Sequence, residues 1–277
     1  MPAGPTTFCR RFRKSAWHDI TRTAMIETAT TITTRDGHMP TWIVYPDAPG
    51  PFPLVIFWMD ALGIREELRD MCRRIATVGY GVYLANLYYR DGGPSFDPAN
   101  LASGQLDPAM LALNDALSMP MTVSDCAALL DHAKLNASIC LPAAVIGYCM
   151  GGRHAIAAAA AYPRQIKALA SMHGGRLVSD QDNSPHRLIS QIQAEAYFAW
   201  ARDDPVAPAA DAKAVEDALV ARGLPYRLEW HRDALHGFTF PERYCYHKPS
   251  AERVWSRLFD LFHRRLDMHR STPEEAQ

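Results

Sequence analysis

The sequence predicts a three-layer α/β sandwich built on a mainly parallel sheet. Three observations lead there. Strand-like and helix-like segments alternate through most of the chain. Residues 54–59 and 143–146 are continuous apolar runs, as expected of strands buried on both faces. One of these strands passes through a glycine-rich turn directly into an alanine-rich helix, over residues 145–155.

Taken in order, residues 26–34 alternate Thr and Ile and read as a strand, Asp36-Gly37 is a hairpin turn, and residues 39–45 are the return strand. A Pro/Gly loop at 46–53 leads to the buried strand 54–59. Residues 66–78 place Leu68, Met71, Cys72, Ile75 and Val78 at helical spacing, with Gly79 as the stop. Residues 81–85 form another short strand. Residues 94–120, rich in Pro, Gly, Asp and Met, are expected to form a cap or short helices beside a pocket. A helix follows at 123–133, with Ser124 as N-cap. Beyond it lie the strand 143–146, a helix over 151–162 that ends before Pro163, and strands 166–171 and 196–200. Helix 209–222 is closed by Gly223, and strand 226–231 follows. The last helix, 250–266, carries Val254, Trp255, Leu258, Phe259, Leu261 and Phe262.

This organisation predicts one domain over residues 25–267. Residues 1–24 set Arg10, Arg11, Arg13, Lys14 and Arg22 against Asp19 alone, which predicts a disordered basic extension. Residues 268–277 are expected to be a flexible tail. The chain has 277 residues, 48% hydrophobic and 21% charged, a composition that suits a globular domain and excludes global disorder. Lys and Arg number 29 against 30 Asp and Glu, so no overall basic field exists to hold nucleic acid or an anionic membrane. No apolar run approaches the roughly 18 residues of a membrane-spanning helix. Residues 1–24 lack the apolar core of a signal peptide, so a cytoplasmic location is expected. The scattered cysteines show no CxxC spacing and suit a reducing compartment.

One cysteine is placed differently. Gly147-Tyr148-Cys149-Met150-Gly151-Gly152 joins a strand to a helix and matches the nucleophile elbow with Cys in place of Ser. Small neighbours permit the tight turn, and the helix N-terminus favours both a thiolate and an oxyanion. The alternative is a packing cysteine in a glycine-rich turn. A nucleophile needs a base and an orienting acid, in chain order after it, each in a loop at a strand's carboxyl end. Asp204 follows strand 196–200 and His236 follows strand 226–231, with Asp203 as the competing acid.

Together these residues resemble the dienelactone hydrolase family, a branch of the α/β-hydrolases with a Cys–Asp–His triad. The resemblance covers roughly residues 25–266. Its marks are the 147–152 elbow, Asp204-Pro205-Val206-Ala207-Pro208, His236-Gly237-Phe238, Trp58-Met59-Asp60-Ala61-Leu62-Gly63 and Asn86-Leu87-Tyr88. It implies an α/β-hydrolase fold, with Cys149 as nucleophile, His236 as base and Asp204, rather than Asp203, as acid. The backbone N–H groups of Met150 and Ala61 are then the oxyanion hole. Asp60 stands where the family has an acid, usually Glu, in contact with the resting cysteine. The resemblance implies hydrolysis of a small-molecule ester or lactone through a thioester, with no cofactor and no metal, by a monomer or homodimer.

Family members hold a substrate carboxylate with arginines in the middle segment and just after the histidine. Here no Arg or Lys lies between Arg90 and Lys134, and Phe240 stands four after His236. A less charged, more apolar substrate is therefore expected, lined by Tyr88, Tyr89, Trp58, Trp200 and Phe238. Arg90 and Arg176 are the cations that could still reach it. The competing readings are a general carboxylesterase or thioesterase, a non-catalytic binding protein on the same fold, and a metal site using Cys245 and His247.

Overall fold

Alternating Thr and Ile residues build β1 (Met25–Thr34), which turns at Arg35-Asp36 and pairs antiparallel with β2 (Gly37–Pro46) from Thr34 opposite Gly37. Gly37 takes φ 138°, a value open to glycine but rarely to other residues. The computed structural model describes residues 24–103 and 106–266. Apart from Ala24, the expected basic extension and C-terminal tail lie outside those residues.

The remaining elements are β3 (Phe52–Trp58), α1 (Glu66–Ala76), β4 (Gly81–Ala85), α2 (Pro108–Ala116), α3 (Met119–Leu135), β5 (Ile139–Tyr148) and α4 (Met150–Ala161). They continue with β6 (Ile166–Met172), α5 (Pro185–Leu188), β7 (Glu195–Ala201), α6 (Ala209–Arg222), β8 (Tyr226–His231) and α7 (Lys248–Leu266). The sheet order is β1-β2-β4-β3-β5-β6-β7-β8, with β1 and β2 antiparallel and the pairs from β4 to β8 parallel. Leu54, Val55, Ile56 and Phe57 of β3 are fully buried, which accounts for their unbroken apolar run. Burying each such side chain stabilises the fold by about 1.5–3 kcal/mol. On one face α1 and α7 meet through the Arg74–Glu252 ion pair, and Arg74 lies over the Trp255 ring. On the other face α3 packs on α4, and α5 bridges α4 to α6.

Two elements begin four residues earlier than the sequence expectation. Helix α3 starts at Met119, not Val123, so Ser118 rather than Ser124 holds the N-cap position. Pro120 is admitted because the first turn of a helix requires no N–H from it. Strand β5 extends back to Ile139 across Pro142, and the β5–β6 register shifts at Ala143, the kind of irregularity at which a strand accommodates proline. Among the described residues, Cys72, Cys126, Cys149 and Cys245 are free thiols. No helix of the described residues is long and apolar enough to cross a membrane.

From β3 the chain crosses by α1 to β4 on one side, whereas β5 lies on the other side of β3. The strand order reverses there, and in open α/β sheets such a switch point, at the carboxyl ends of the strands, is where ligands bind. Cys149 and Ala61 both sit at that point.

Candidate active site

Cys149 joins β5 to α4 with φ 51° and ψ −115°. A non-glycine residue held at positive φ stores about 1–3 kcal/mol of strain, so its surroundings must impose it. They do so through the backbone: the Cys149 N–H donates to the Met172 carbonyl at 3.0 Å, and the Gly175 N–H donates to the Cys149 carbonyl at 3.1 Å. The flanking glycines allow the close approach. A Cβ on Gly147 would run into the Gly151 carbonyl, and one on Gly151 would lie 2.6 Å from the Trp58 carbonyl oxygen.

His236 bridges the other two members of the expected triad. Its Nδ1 lies 2.7 Å from Asp204 Oδ2 and its Nε2 lies 3.1 Å from Cys149 Sγ. Asp204 is buried, while its competitor Asp203 is exposed. Asp204 Oδ1 accepts the N–H groups of Val206 and Ala207 at 2.9 and 3.0 Å, leaving Oδ2 for the imidazole. The Trp200 indole N–H braces this loop by donating to the Ala207 carbonyl at 2.7 Å. Behind the histidine, the Cys245 thiol donates to the His236 carbonyl at 3.0 Å.

Burial opposes charge on both partners, yet the Cys149 sulfur and the Asp204 hydrogen bond push His236 up to about 10. The Cys149 thiol is likewise raised by burial, but the charge and hydrogen bond of His236 bring it below its ordinary value, against the negative field of Asp60. The pairing thus shifts the balance toward a thiolate facing an imidazolium, and the two groups titrate as a pair.

The Met150 N–H opens α4 and has no intrahelical partner, and the Ala61 N–H donates to no described residue. Tyr88 fixes Ala61 by donating its hydroxyl to the Ala61 carbonyl at 3.0 Å, and the same oxygen lies 3.3 Å from Met150 Sδ.

Asp60 does not make the contact with Cys149 that the resemblance implies. Its fully buried carboxylate accepts from Arg65 at 2.9 and 3.0 Å, from the Leu62 N–H at 3.0 Å, and from Arg243. Both oxygens are occupied, so Asp60 acts on the sulfur only through its field. Glu67 extends the cluster, pairing with Arg65 at 2.6 Å and accepting the Glu242 N–H at 2.7 Å. The two guanidinium groups stack on the Phe240 ring, at 4.0 Å for Arg243 and 5.0 Å for Arg65. The network ties the start of α1 to the loop that carries His236.

The expected pocket aromatics are also corrected. Trp58, Trp200 and Phe238 are fully buried and present no surface to a substrate, and Tyr88 is buried with its hydroxyl engaged as described. Tyr89 and Arg90 are taken up by Asp125, and Arg90 also pairs with Asp36. Arg176 pairs with Asp115 at the surface.

Sequence reasoning missed Arg65, Arg243, Arg153 and His173. Arg153 follows Cys149 by four residues and is only 8% exposed, and its hydrogen bonds go to the carbonyl and side-chain oxygen of Asn114, both at 2.9 Å. Burial and the nearby Arg176 lower its pKa to about 10, while Cys149, Tyr88 and Asp115 lie within electrostatic reach. The position of Arg153 in the first turn after the elbow was the one available signal.

Comparison with known proteins identifies the family and agrees with the fold. The family model described as "Dienelactone hydrolase family" matches residues 39–266. A relative from Escherichia coli K12, named "Putative carboxymethylenebutenolidase", is 30% identical over 248 residues, spanning 86% of this chain and 87% of the relative. The "Carboxymethylenebutenolidase" of Rhodococcus opacus is 23% identical over 219 residues, spanning 76% and 81%. The "Putative Dienelactone Hydrolase" structure from Klebsiella pneumoniae superposes with a TM-score of 0.77 at 26% identity, covering 86% of this chain and 98% of that one.

Proposed function

The chain belongs to the dienelactone hydrolase family and is a hydrolase of ester or lactone bonds, and on that premise we propose that Cys149 is its nucleophile, His236 its general base and Asp204 the orienting acid. The observation that carries the proposal is the unbroken line Sγ–Nε2 and Nδ1–Oδ2, at 3.1 and 2.7 Å, ending on a strained residue. The thiolate attacks the carbonyl carbon, a C–S bond forms, and negative charge gathers on the carbonyl oxygen. The N–H groups of Met150 and Ala61 receive that charge, each worth about 3 kcal/mol in the transition state. Collapse of the tetrahedral species breaks the C–O bond, and the imidazolium supplies the proton to the departing oxygen. Neutral His236 then takes a proton from water, which cleaves the thioester and frees the sulfur.

A thiolate leaves a tetrahedral intermediate more readily than an alkoxide does. Turnover therefore favours a leaving group at least as good as sulfur, such as a phenol or an enol. Phenyl esters and enol lactones are expected to be hydrolysed faster than ethyl esters of the same acid, by about 100-fold or more in kcat/KM. Equal rates would contradict a thiolate attack.

A second reading concerns charge on the substrate and is favoured by Arg153. A buried guanidinium without a carboxylate partner is costly, and an anionic substituent on the substrate would relieve that cost. The relatives' name, carboxymethylenebutenolidase, denotes a carboxylate-bearing lactone and supports the same choice over the uncharged substrate expected from the missing middle-segment arginines. An aryl ester with a free distal carboxylate is expected to exceed its methyl-capped counterpart by roughly 10- to 100-fold in kcat/KM, a ratio that falls to about one in Arg153→Gln. A wild-type ratio of one would leave this reading without support.

A further inference from the structure

His173 directly follows β6 and carries two features that cost stability. Its backbone φ is 39°, and the only other described non-glycine residues at positive φ are Cys149 and Arg176. Its ring is wholly buried, yet Nδ1 meets no hydrogen-bond partner. Such costs persist where the surrounding structure depends on them, and the contacts of His173 lead to both halves of the Cys149–His236 pair.

On the side of the sulfur, the residues around His173 grip the elbow. The Met172 carbonyl accepts the Cys149 N–H at 3.0 Å and the Gly175 N–H donates to the Cys149 carbonyl at 3.1 Å. On the side of the base, His173 Nε2 lies 2.8 Å from Oγ1 of Thr239, three residues after His236. The His173 and His236 rings meet edge to face, with centroids 5.0 Å apart and planes at 70°. Phe238 and Phe240 of the same loop close around the ring, both at 5.6 Å, and Tyr148 of β5 lies at 6.0 Å.

A buried N–H without an acceptor costs more than a lone pair without a donor. The tautomer that leaves Nδ1 as a bare lone pair is therefore the less costly one, and in it Nε2–H donates to the Thr239 hydroxyl. Burial holds the imidazole neutral, reinforced by His236, Arg243 and His231, so no second cation forms against the His236 imidazolium.

We infer that His173 is a positioning residue: its side chain sets where His236 Nε2 stands, through Thr239 and the ring contact, while its backbone segment sets where the Cys149 sulfur stands. The inference rests on the reading of Cys149 and His236 as nucleophile and base. The other charged and titratable groups around the pair are Asp204, Asp60, Arg243, Arg153, Tyr88, His231 and the Cys245 thiol.

His173→Phe and Thr239→Val break the link from opposite ends with little change of shape. Each is expected to lower kcat for p-nitrophenyl acetate about tenfold with KM held within about twofold, because misplacing a base slows chemistry without touching binding. Alkylation of Cys149 by iodoacetamide gives a readout that a merely structural role would not move. The acid limb of its pH profile should shift upward toward an ordinary thiol, since the displaced imidazolium stabilises the thiolate less. The double variant should be no slower than the poorer single, because both changes remove one link. Alkylation profiles that superimpose on the wild type in both variants, or a double variant whose loss is the product of the singles, would overturn the inference. Should His173→Phe fail to fold, Thr239→Val carries the test alone. Cys149→Ala probes the underlying reading separately: an inactive Cys149→Ala beside an unshifted Thr239→Val rejects the role of His173 and leaves the nucleophile in place.

Discussion

Cys149→Ala is expected to lose at least about 1,000-fold in kcat on p-nitrophenyl acetate while keeping the wild-type melting temperature. Alanine accepts the positive φ no less readily than cysteine does, so the elbow keeps its shape and its glycine contacts. What disappears is the sulfur that His236 faces at 3.1 Å. His236→Ala should lose activity on a similar scale for a different reason. Without the imidazolium, burial and the Asp60 field return the thiol to its protonated form near neutral pH. Cys149→Ala retaining activity within tenfold of the wild type would remove the sulfur from the chemistry.

Asp60→Asn is expected to destabilise the fold by about 3–5 kcal/mol, the scale of breaking a buried ion pair from one side. Arg65 and Arg243 would be left facing a neutral amide in a site closed to water, and the tie between α1 and the histidine loop would slacken. The pH dependence has a definite sign. Burial raises the Asp60 carboxyl, but Arg243 and Arg65 more than offset this and leave it below its ordinary value. Its stabilising contribution is therefore complete above the unfolded value of about 3.9 and fades only as pH falls through the lower folded value. Denaturant midpoints measured from neutral to acid pH should show Asp60→Asn far below the wild type at neutral pH, with the gap closing in strong acid. Equal midpoints at neutral pH would show that the cluster does not support the fold.

The alignment of Cys149, His236 and Asp204 was legible in the sequence because its signals are local. A glycine-flanked cysteine between a strand and a helix, and two loops in the right order after later strands, require no knowledge of distant contacts. The roles of the surrounding groups were not legible, because they depend on pairing across long stretches of chain. Asp60 lies beside Ala61 in sequence, but its partner Arg243 arrives from a loop after β8. The apolar runs of β3 and β7 show that Trp58 and Trp200 occupy a sheet, not whether they face helices or a pocket, and both face the core. His173 reads as one histidine among many until β6 and the loop after β8 bring it against His236. Arg153 reads as a charge on a helix until α2 covers it. The early start of α3 was hidden by Pro120, which reads as a break unless the first turn is considered.

The central claim is that the acyl group of the substrate passes through the Cys149 sulfur. Rapid acid quenching during turnover of p-nitrophenyl acetate, followed by mass analysis of the protein and its peptides, tests it directly. The expected result is one acetyl group per chain on the peptide that contains Cys149, formed and consumed at rates that account for turnover, and absent in Cys149→Ala. Full turnover with no acyl group on that peptide, or an acyl group carried by a different residue, would contradict the account.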